Sequence, residues 1–343
     1  MAVVLLSAIG DAVHALPILA SLRRAWPDSR ITWVIQPAAH ALVRGHPDVT
    51  DFLLFERRRG LRAFADFRRR VADLRFDLVV DLQVYFKAGL LTWLLRAPVK
   101  LGFDRARARD LNWLFTTHRI PPHPPQHVQE QYFEFLDALG VPVVREWNFF
   151  FSNEERAARR AFFRRLDRPA LAVVLRTSRE ERNWIPERYA RVLEVAESDL
   201  GLRPVLVGSA APREVTAAEE VVRLTRARPV NALGNDLRRL AWLLDGSAVL
   251  LSPDTGPLHL GVALGTPTVG LYGTTDPKRV GPYGRFHELV IDRYSGPGET
   301  APSSAVRPGN MERIEVSEVL EKLELAIRTY RKTHPEPTGG VSR

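Results

Sequence analysis

Short apolar runs alternate along this chain with longer segments in which apolar positions fall at helical spacing. In the first half, Val3–Ser7, Ile31–Ile35, Phe52–Phe55, Leu78–Leu82 and Lys100–Phe103 predict strands, with helices over Ala12–Ala25 and Phe64–Leu74. The stretch Ile120-Pro-Pro-His-Pro-Pro125 interrupts the pattern, and a helix is predicted over Gln129–Leu139. A second series of strands follows at Leu171–Leu175, Pro204–Val207, Ala248–Leu251, Thr268–Leu271 and Leu289–Ile291, closed by a helix over Val316–Tyr330. Alternation of this kind builds a parallel sheet covered on both faces. Two series predict an α/β fold of two Rossmann-like, doubly wound domains facing across a cleft, with ligands at the carboxyl ends of the strands. The expected divisions are residues 1–160 and 161–333, joined through the Arg-rich stretch Asn153–Pro169, and a tail over 334–343 expected to be disordered.

Composition narrows the class. A chain of 343 residues, 45% of them hydrophobic, can bury two cores, and the absence of cysteine excludes disulfides and thiolate metal sites. The apolar N-terminus lacks a basic leader and contains Asp11 and His14, so it reads as a first strand and turn rather than a signal sequence. No apolar run reaches the roughly 18 residues a spanning helix needs, and Leu90–Leu95 reads as a buried helix. A cytoplasmic monomer is expected. The net charge of +9 asks for an anionic partner. Arg57, Arg58, Arg59, Arg62 and Arg68–Arg70 share one segment with Phe55, Leu61, Phe64, Phe67, Val71 and Leu74, which reads either as a basic amphipathic helix for a phosphate-rich interface or as a solvated Arg-rich face.

The segment with most chemistry is Ser252-Pro-Asp-Thr-Gly-Pro-Leu-His-Leu260, where a buried strand runs into a short helix. The first turn of a helix offers unpaired N–H groups and partial positive charge, which suits a diphosphate. Asp254 and Thr255 are expected to cap it, Gly256 to let a ligand approach the backbone, and Pro257 to occupy an early position that needs no N–H. Asp11, after Gly10 at the end of the first strand, reads either as a general base or as a helix cap. In Arg176–Trp184, Thr177 and Ser178 can donate to phosphate oxygens and Arg179 or Arg182 can clamp a diphosphate, unless the segment is only a hydroxyl-stabilised turn. Thr274, Thr275 and Lys278 form a further loop able to reach a sugar or phosphate. A P-loop, a dinucleotide fingerprint, a zinc-protease helix and a nucleophile elbow are all missing, and so is any Asp-x-Asp element for a divalent ion.

The order and spacing of Ser7–Pro17, Asp81-Leu-Gln-Val-Tyr-Phe-Lys87, Thr177–Trp184, Asp254-Thr-Gly-Pro-Leu-His259 and Tyr272–Pro277 resemble the bacterial lipopolysaccharide heptosyltransferases of glycosyltransferase family 9, heptosyltransferase I type, over residues 1–330. The resemblance implies a GT-B fold and transfer of heptose from ADP-heptose to the Kdo of the inner core, with inversion and without metal or cofactor. It implies that Asp11 is the base, that Thr177, Ser178, Thr255, Gly256 and Pro257 surround the diphosphate, and that Asp254 contacts the donor sugar. His259 and Thr275 belong to the same donor motifs, and Arg57, Arg58, Arg59, Arg62 and Arg109 fall at the cations for the acidic sugar and lipid A phosphates. Three positions depart from the pattern: Arg182 replaces a lysine, Val84 a glycine, and after Gly208 only Glu214 offers an acid for the ribose.

The implied partners are an ADP-sugar, a phosphorylated lipid-linked glycan and, transiently, the anionic inner-membrane surface. One alternative keeps the fold with another nucleotide sugar or a protein or other glycan acceptor. Another, from a different class, is a basic nucleic-acid-binding protein, which requires aromatic residues interleaved with arginines on one exposed surface. A binding module without activity is a third, against which the retained Asp11 speaks.

Overall fold

The computed structural model describes residues 1–330, so the tail read as disordered lies outside the described residues. The first half is a parallel sheet of β1 (Ala2–Val4), β2 (Thr32–Ile35), β3 (Asp51–Leu54), β4 (Leu78–Asp81), β5 (Val99–Gly102) and β6 (His118–Arg119), in the order β3-β2-β1-β4-β5-β6. Its helices are α1 (Ile9–Ala25), α2 (Pro37–Val43), α3 (Leu61–Val71), α4 (Phe86–Leu94) and α5 (Val128–Ala138). Helix α6 (Asn153–Phe163) leads into the second half, a sheet of β7 (Ala170–Val173), β8 (Arg203–Leu206), β9 (Val230–Asn231), β10 (Val249–Pro253), β11 (Thr268–Tyr272) and β12 (Val290–Asp292). Helices α7 (Pro186–Ser198), α8 (Pro212–Leu224), α9 (Leu237–Gly246), α10 (Gly256–Ala263), α11 (Pro277–Val280) and α12 (Val316–Thr329) surround it. The second sheet runs β12-β11-β10-β7-β8-β9, the same winding as the first, so each half has a switch point between its first and fourth strands. This is the GT-B arrangement.

Each predicted strand is present. The Val-, Ile- and Leu-rich runs of β1, β2 and β7 are fully buried, as parallel strands covered on both faces must be. The two-residue edge strands β6 and β9 were not predicted. Two helices differ from expectation. Helix α1 begins at Ile9 rather than near Ala12, which draws Asp11 into its first turn. Helix α4 buries Leu91 but leaves Trp93 60% exposed, so Leu90–Leu95 is not a wholly buried segment.

The halves share one continuous apolar core, running from Val3 and Leu16 through to Ala170, Leu250 and Leu260. Helix α1 packs on α10, and α2 on α9. The buried Arg238 strengthens this seam, donating to the Leu42 carbonyl at 3.2 Å and the Phe150 carbonyl at 2.6 Å while ion-paired to Glu155 at 2.7 Å. Helix α6 packs on α9, where Gly246 leaves room for the Phe163 ring. Among the described residues, no helix is long and apolar enough to cross a membrane.

Candidate active site

The carboxyl ends of β1, β4, β7, β10 and β11 open on one cleft of about 550 Å³ between the halves. Its walls include Gly10, Asp11 and His14 from the first half, and Thr177, Ser178, Arg182, Asp254, Thr255, Gly256, His259 and Thr275 from the second. A larger concavity of about 990 Å³ lies at the opposite edge of the first sheet, around Met1, Trp26, Thr32 and Leu78, and contains none of these residues. Two helix N-termini therefore meet at the cleft. Gly10 in α1 and Gly256 in α10 face each other so closely that a Cβ on Gly10 would sit 3.0 Å from His259 and 3.8 Å from the Gly256 Cα.

Asp11 realises the cap and also faces the cleft. Its carboxylate accepts a hydrogen bond from the Ala8 N–H at 2.8 Å, which caps α1, and it also lines the cleft. Although part of its surface is open, the cleft walls strip enough water away that burial raises its pKa; the Ala8 N–H, His259 and Arg279 pull the other way.

The α10 turn differs from the expected cap. Thr255 makes no side-chain capping bond. Asp254 instead accepts from Arg182 Nη1 at 2.9 Å and Thr275 Oγ1 at 2.7 Å, with His259 Nε2 at 3.5 Å. Burial alone would raise the Asp254 pKa, but His259, Arg182 and Thr275 together hold it below the ordinary value. Arg182 is thus anchored beside the α10 N-terminus as one side of an ion pair. Pro257 takes an early position of α10, as expected, but is not on the cleft wall.

In the β7 loop, the Thr177 hydroxyl donates to the Arg179 carbonyl at 2.6 Å and accepts from the Arg179 N–H at 3.0 Å, so the hydroxyl-stabilised turn is realised, while Ser178 stays exposed on the cleft. In the β11 loop, Lys278 turns away to Ser295 at 2.7 Å and Thr274 donates to the Glu181 carbonyl at 2.5 Å. The neighbouring Arg279 faces the cleft instead. After Gly208, Glu214 accepts from the Ser209 N–H at 2.8 Å and hydroxyl at 2.5 Å and is absent from the cleft wall, so it ties its own loop together.

Of the expected acceptor cations, Arg57–Arg59 form an exposed turn after edge strand β3, with Arg62 beside it on α3. They share the carboxyl edge of the sheet with Asp11 but lie two strands out from β1 and do not line the cleft. Arg109 is nearer, its N–H donating at 2.7 Å to the carbonyl of Val84, a cleft residue. Phe67 is buried and Phe64 packs against Phe55, so this basic segment lacks the interleaved exposed aromatics that nucleic-acid binding requires.

Two residues inside the sequence motifs, His14 and Gln83, also line the cleft, and His127 lies beside it; the partners of all three were not legible from the motifs. His14 Nδ1 pairs with Gln129 Oε1 at 2.9 Å, its ring lies 4.7 Å from that of His259, and its Nε2 is buried without a partner. His127 reaches across the seam to the Gly281 carbonyl at 3.0 Å. Gln83 bonds the Leu6 N–H at 3.1 Å and the Ser7 carbonyl at 2.5 Å, holding the loop that precedes Asp11. These links join residues far apart in sequence, which local spacing cannot signal.

Two Rossmann-like sheets facing across one cleft define a protein of the GT-B class. The profile of Glycosyltransferase family 9 (heptosyltransferase) matches residues 64–303, and the chain belongs to that family; it is a glycosyltransferase. It is 30% identical to lipopolysaccharide heptosyltransferase 1 of Pseudomonas aeruginosa over 81% of this chain and 80% of that one. It is 28% identical to the lipopolysaccharide core heptosyltransferase OpsX of Haemophilus influenzae, over 83% and 82%. The solved Escherichia coli heptosyltransferase WaaC with ADP-2-deoxy-2-fluoro heptose superposes with a TM-score of 0.72 at 26% identity, covering 94% of this chain and 98% of that one.

Proposed function

We propose that this chain transfers heptose from ADP-heptose to the Kdo of a lipopolysaccharide inner-core acceptor, with inversion and without a divalent ion. The observation that carries the reading is that Asp11 and the α10 N-terminus line one cleft, contributed by opposite halves. The names of the relatives and the ADP-heptose analogue bound to the solved one support the donor and the acceptor.

Residues 161–333 hold the nucleotide sugar and residues 1–160 the acceptor. Asp11 removes a proton from the acceptor hydroxyl as its oxygen bonds to the anomeric carbon. The bond from that carbon to the diphosphate breaks, and ADP leaves with the electron pair. The charge that develops falls against the first turn of α10, Ser178, Arg182 and Arg279. Because one oxygen of Asp11 is held by the Ala8 N–H, the carboxylate is fixed in rotation, and its raised pKa brings it closer to that of a base matched to neutral solution. Asp254 and His259 meet the donor sugar, and Arg57, Arg58, Arg59, Arg62 and Arg109 meet the phosphates and carboxylates of the acceptor. The chain works as a monomer at the cytoplasmic face of the inner membrane.

The test supplies a Kdo-terminated acceptor with ADP-heptose, ADP-glucose, GDP-mannose and UDP-glucose in turn, with and without EDTA. Heptose transfer with ADP release, unchanged by EDTA, is expected. Asp11→Asn should lose roughly two to four orders of magnitude in turnover while retaining donor affinity. Wild-type turnover in that variant removes Asp11 from the chemistry, and preferential release of GDP or UDP replaces the donor.

A further inference from the structure

The carboxyl edge of the first sheet carries apolar side chains that no other described residue covers. Leu61 at the start of α3 is 87% exposed, Tyr85 and Phe86 at the start of α4 are 50% and 42%, and Leu111 and Leu114 in the turn after β5 are 55% each. They form one surface. Helix α3 packs beside α4, Phe86 meets Phe115 edge-on at 5.3 Å, and Asn112 donates to the Tyr85 carbonyl at 3.1 Å. Asp110 and Leu111 both hold left-handed backbone angles, φ 51° and 62°, an unusual conformation for two successive non-glycine residues, in a turn that leaves Leu111 open to water.

The same loops are strongly basic. Residues 85–119 contain seven Lys and Arg against two Asp, a net of +5, and residues 57–70 contain seven Arg against one Asp, a net of +6. That one carboxylate, Asp66, is already paired with Arg59 and Arg69. Arg105 lies over the Trp113 ring at 4.5 Å, with Arg119 on the same ring at 5.4 Å. In the second half, the large apolar residues comparably exposed among the described residues are Val222, Leu224 and Val306; Arg223, Arg226 and Arg228 neighbour the first two, but Glu219 and Glu220 on the same helix offset them.

Protruding aliphatic tips ringed by arginines match the chemistry of an anionic bilayer, where apolar side chains enter the acyl boundary and guanidinium groups meet lipid phosphates. We infer that the rim Leu61–Phe86–Leu111–Leu114, with its flanking cations, is the surface by which this protein docks on anionic lipid, with the mouth of the cleft toward the membrane. The inference deepens the peripheral-membrane part of the proposed function by naming its surface. It does not depend on donor or acceptor identity.

The test measures co-sedimentation of the full chain, without donor or acceptor, on vesicles of equal parts phosphatidylglycerol and phosphatidylethanolamine, against pure phosphatidylcholine. The variant carries Leu61→Ser, Leu111→Asn and Leu114→Ser together; asparagine tolerates the left-handed angle at position 111. The wild type should bind the anionic vesicles, more weakly as salt rises, and the triple variant should lose roughly tenfold or more in partitioning. Its thermal melt and its turnover on a soluble, delipidated acceptor should match the wild type, which separates loss of docking from loss of fold or chemistry. Failure of the wild type to bind anionic vesicles, or equal binding by the triple variant, overturns the assignment. So does tighter binding to RNA than to vesicles, which would give the arginines a different partner.

Discussion

Asp11 and Gly10 show how adjacent residues set different quantities. Asp11 is held by the Ala8 N–H and is the base of the proposed mechanism, whereas Gly10 limits how near the two halves come. An alanine at position 10 keeps ordinary helical geometry and gains about 0.5–1 kcal/mol of helix propensity. Its methyl would nonetheless press His259 at 3.0 Å, and that ring is confined by His14 at 4.7 Å and Asp254 at 3.5 Å. Gly10→Ala is therefore expected to melt within a few degrees of the wild type yet lose about tenfold or more in transfer, because small misplacements of reacting groups are costly. Steady-state kinetics beside a thermal melt check this. Full activity in the alanine variant would show that the seam tolerates a wider gap than the glycine pair implies.

At the scale of elements, the loop carrying Asp11 depends on the loop after β4. The buried Asp81 accepts from the Gln83 N–H at 3.1 Å, Thr92 at 3.0 Å and Asn112 at 3.0 Å, and Gln83 then holds Leu6 and Ser7 with both ends of its amide. Gln83→Leu removes both side-chain bonds but leaves the wall of the second half, where the proposed function places the donor, untouched. Turnover should fall roughly 10–100-fold with donor KM nearly unchanged, a split that a general loss of structure would not produce. Elements of this kind were only partly legible in the sequence. The interior strands were, because burial on both faces demands unbroken apolar runs; β6 and β9 were not, because two exposed residues at an edge carry no such demand. The α10 turn was recognised from Thr255-Gly256-Pro257, but the direction of Asp254 was not, since Arg182 and Thr275 approach it from distant loops. Likewise Lys278 and Arg279 look interchangeable in one dimension, and only the fold decides that Arg279 faces the cleft.

For the whole molecule, the seam near the cleft is closed by imidazoles. His14 and His259 touch across it, His127 reaches the Gly281 carbonyl, and Tyr283 donates to Glu130 from the opposite half. Burial lowers His14 well below the usual histidine value and lowers His127 to about 4, with His259 adding to both shifts and Arg279 to that of His127. Each folded imidazole thus resists a proton that the unfolded chain accepts near 6.5. The stabilisation from His127 is complete above that pH and is lost as pH falls from about 6.5 toward 4, up to about 3 kcal/mol. Two carboxyl groups act in the opposite sense. Asp11 and Asp81, the latter raised to about 7 by burial, take up protons in the folded state first and so favour it as pH falls. The absolute slope therefore mixes signs, and the informative quantity is the difference between the wild type and His127→Gln, which cannot gain charge. Urea unfolding from pH 4 to 8 should show the two proteins diverging most near neutrality, where the wild type is the more stable, and converging as the pH falls toward 4. Parallel stability curves across that interval would show that His127 does not contribute to the acid sensitivity of the seam.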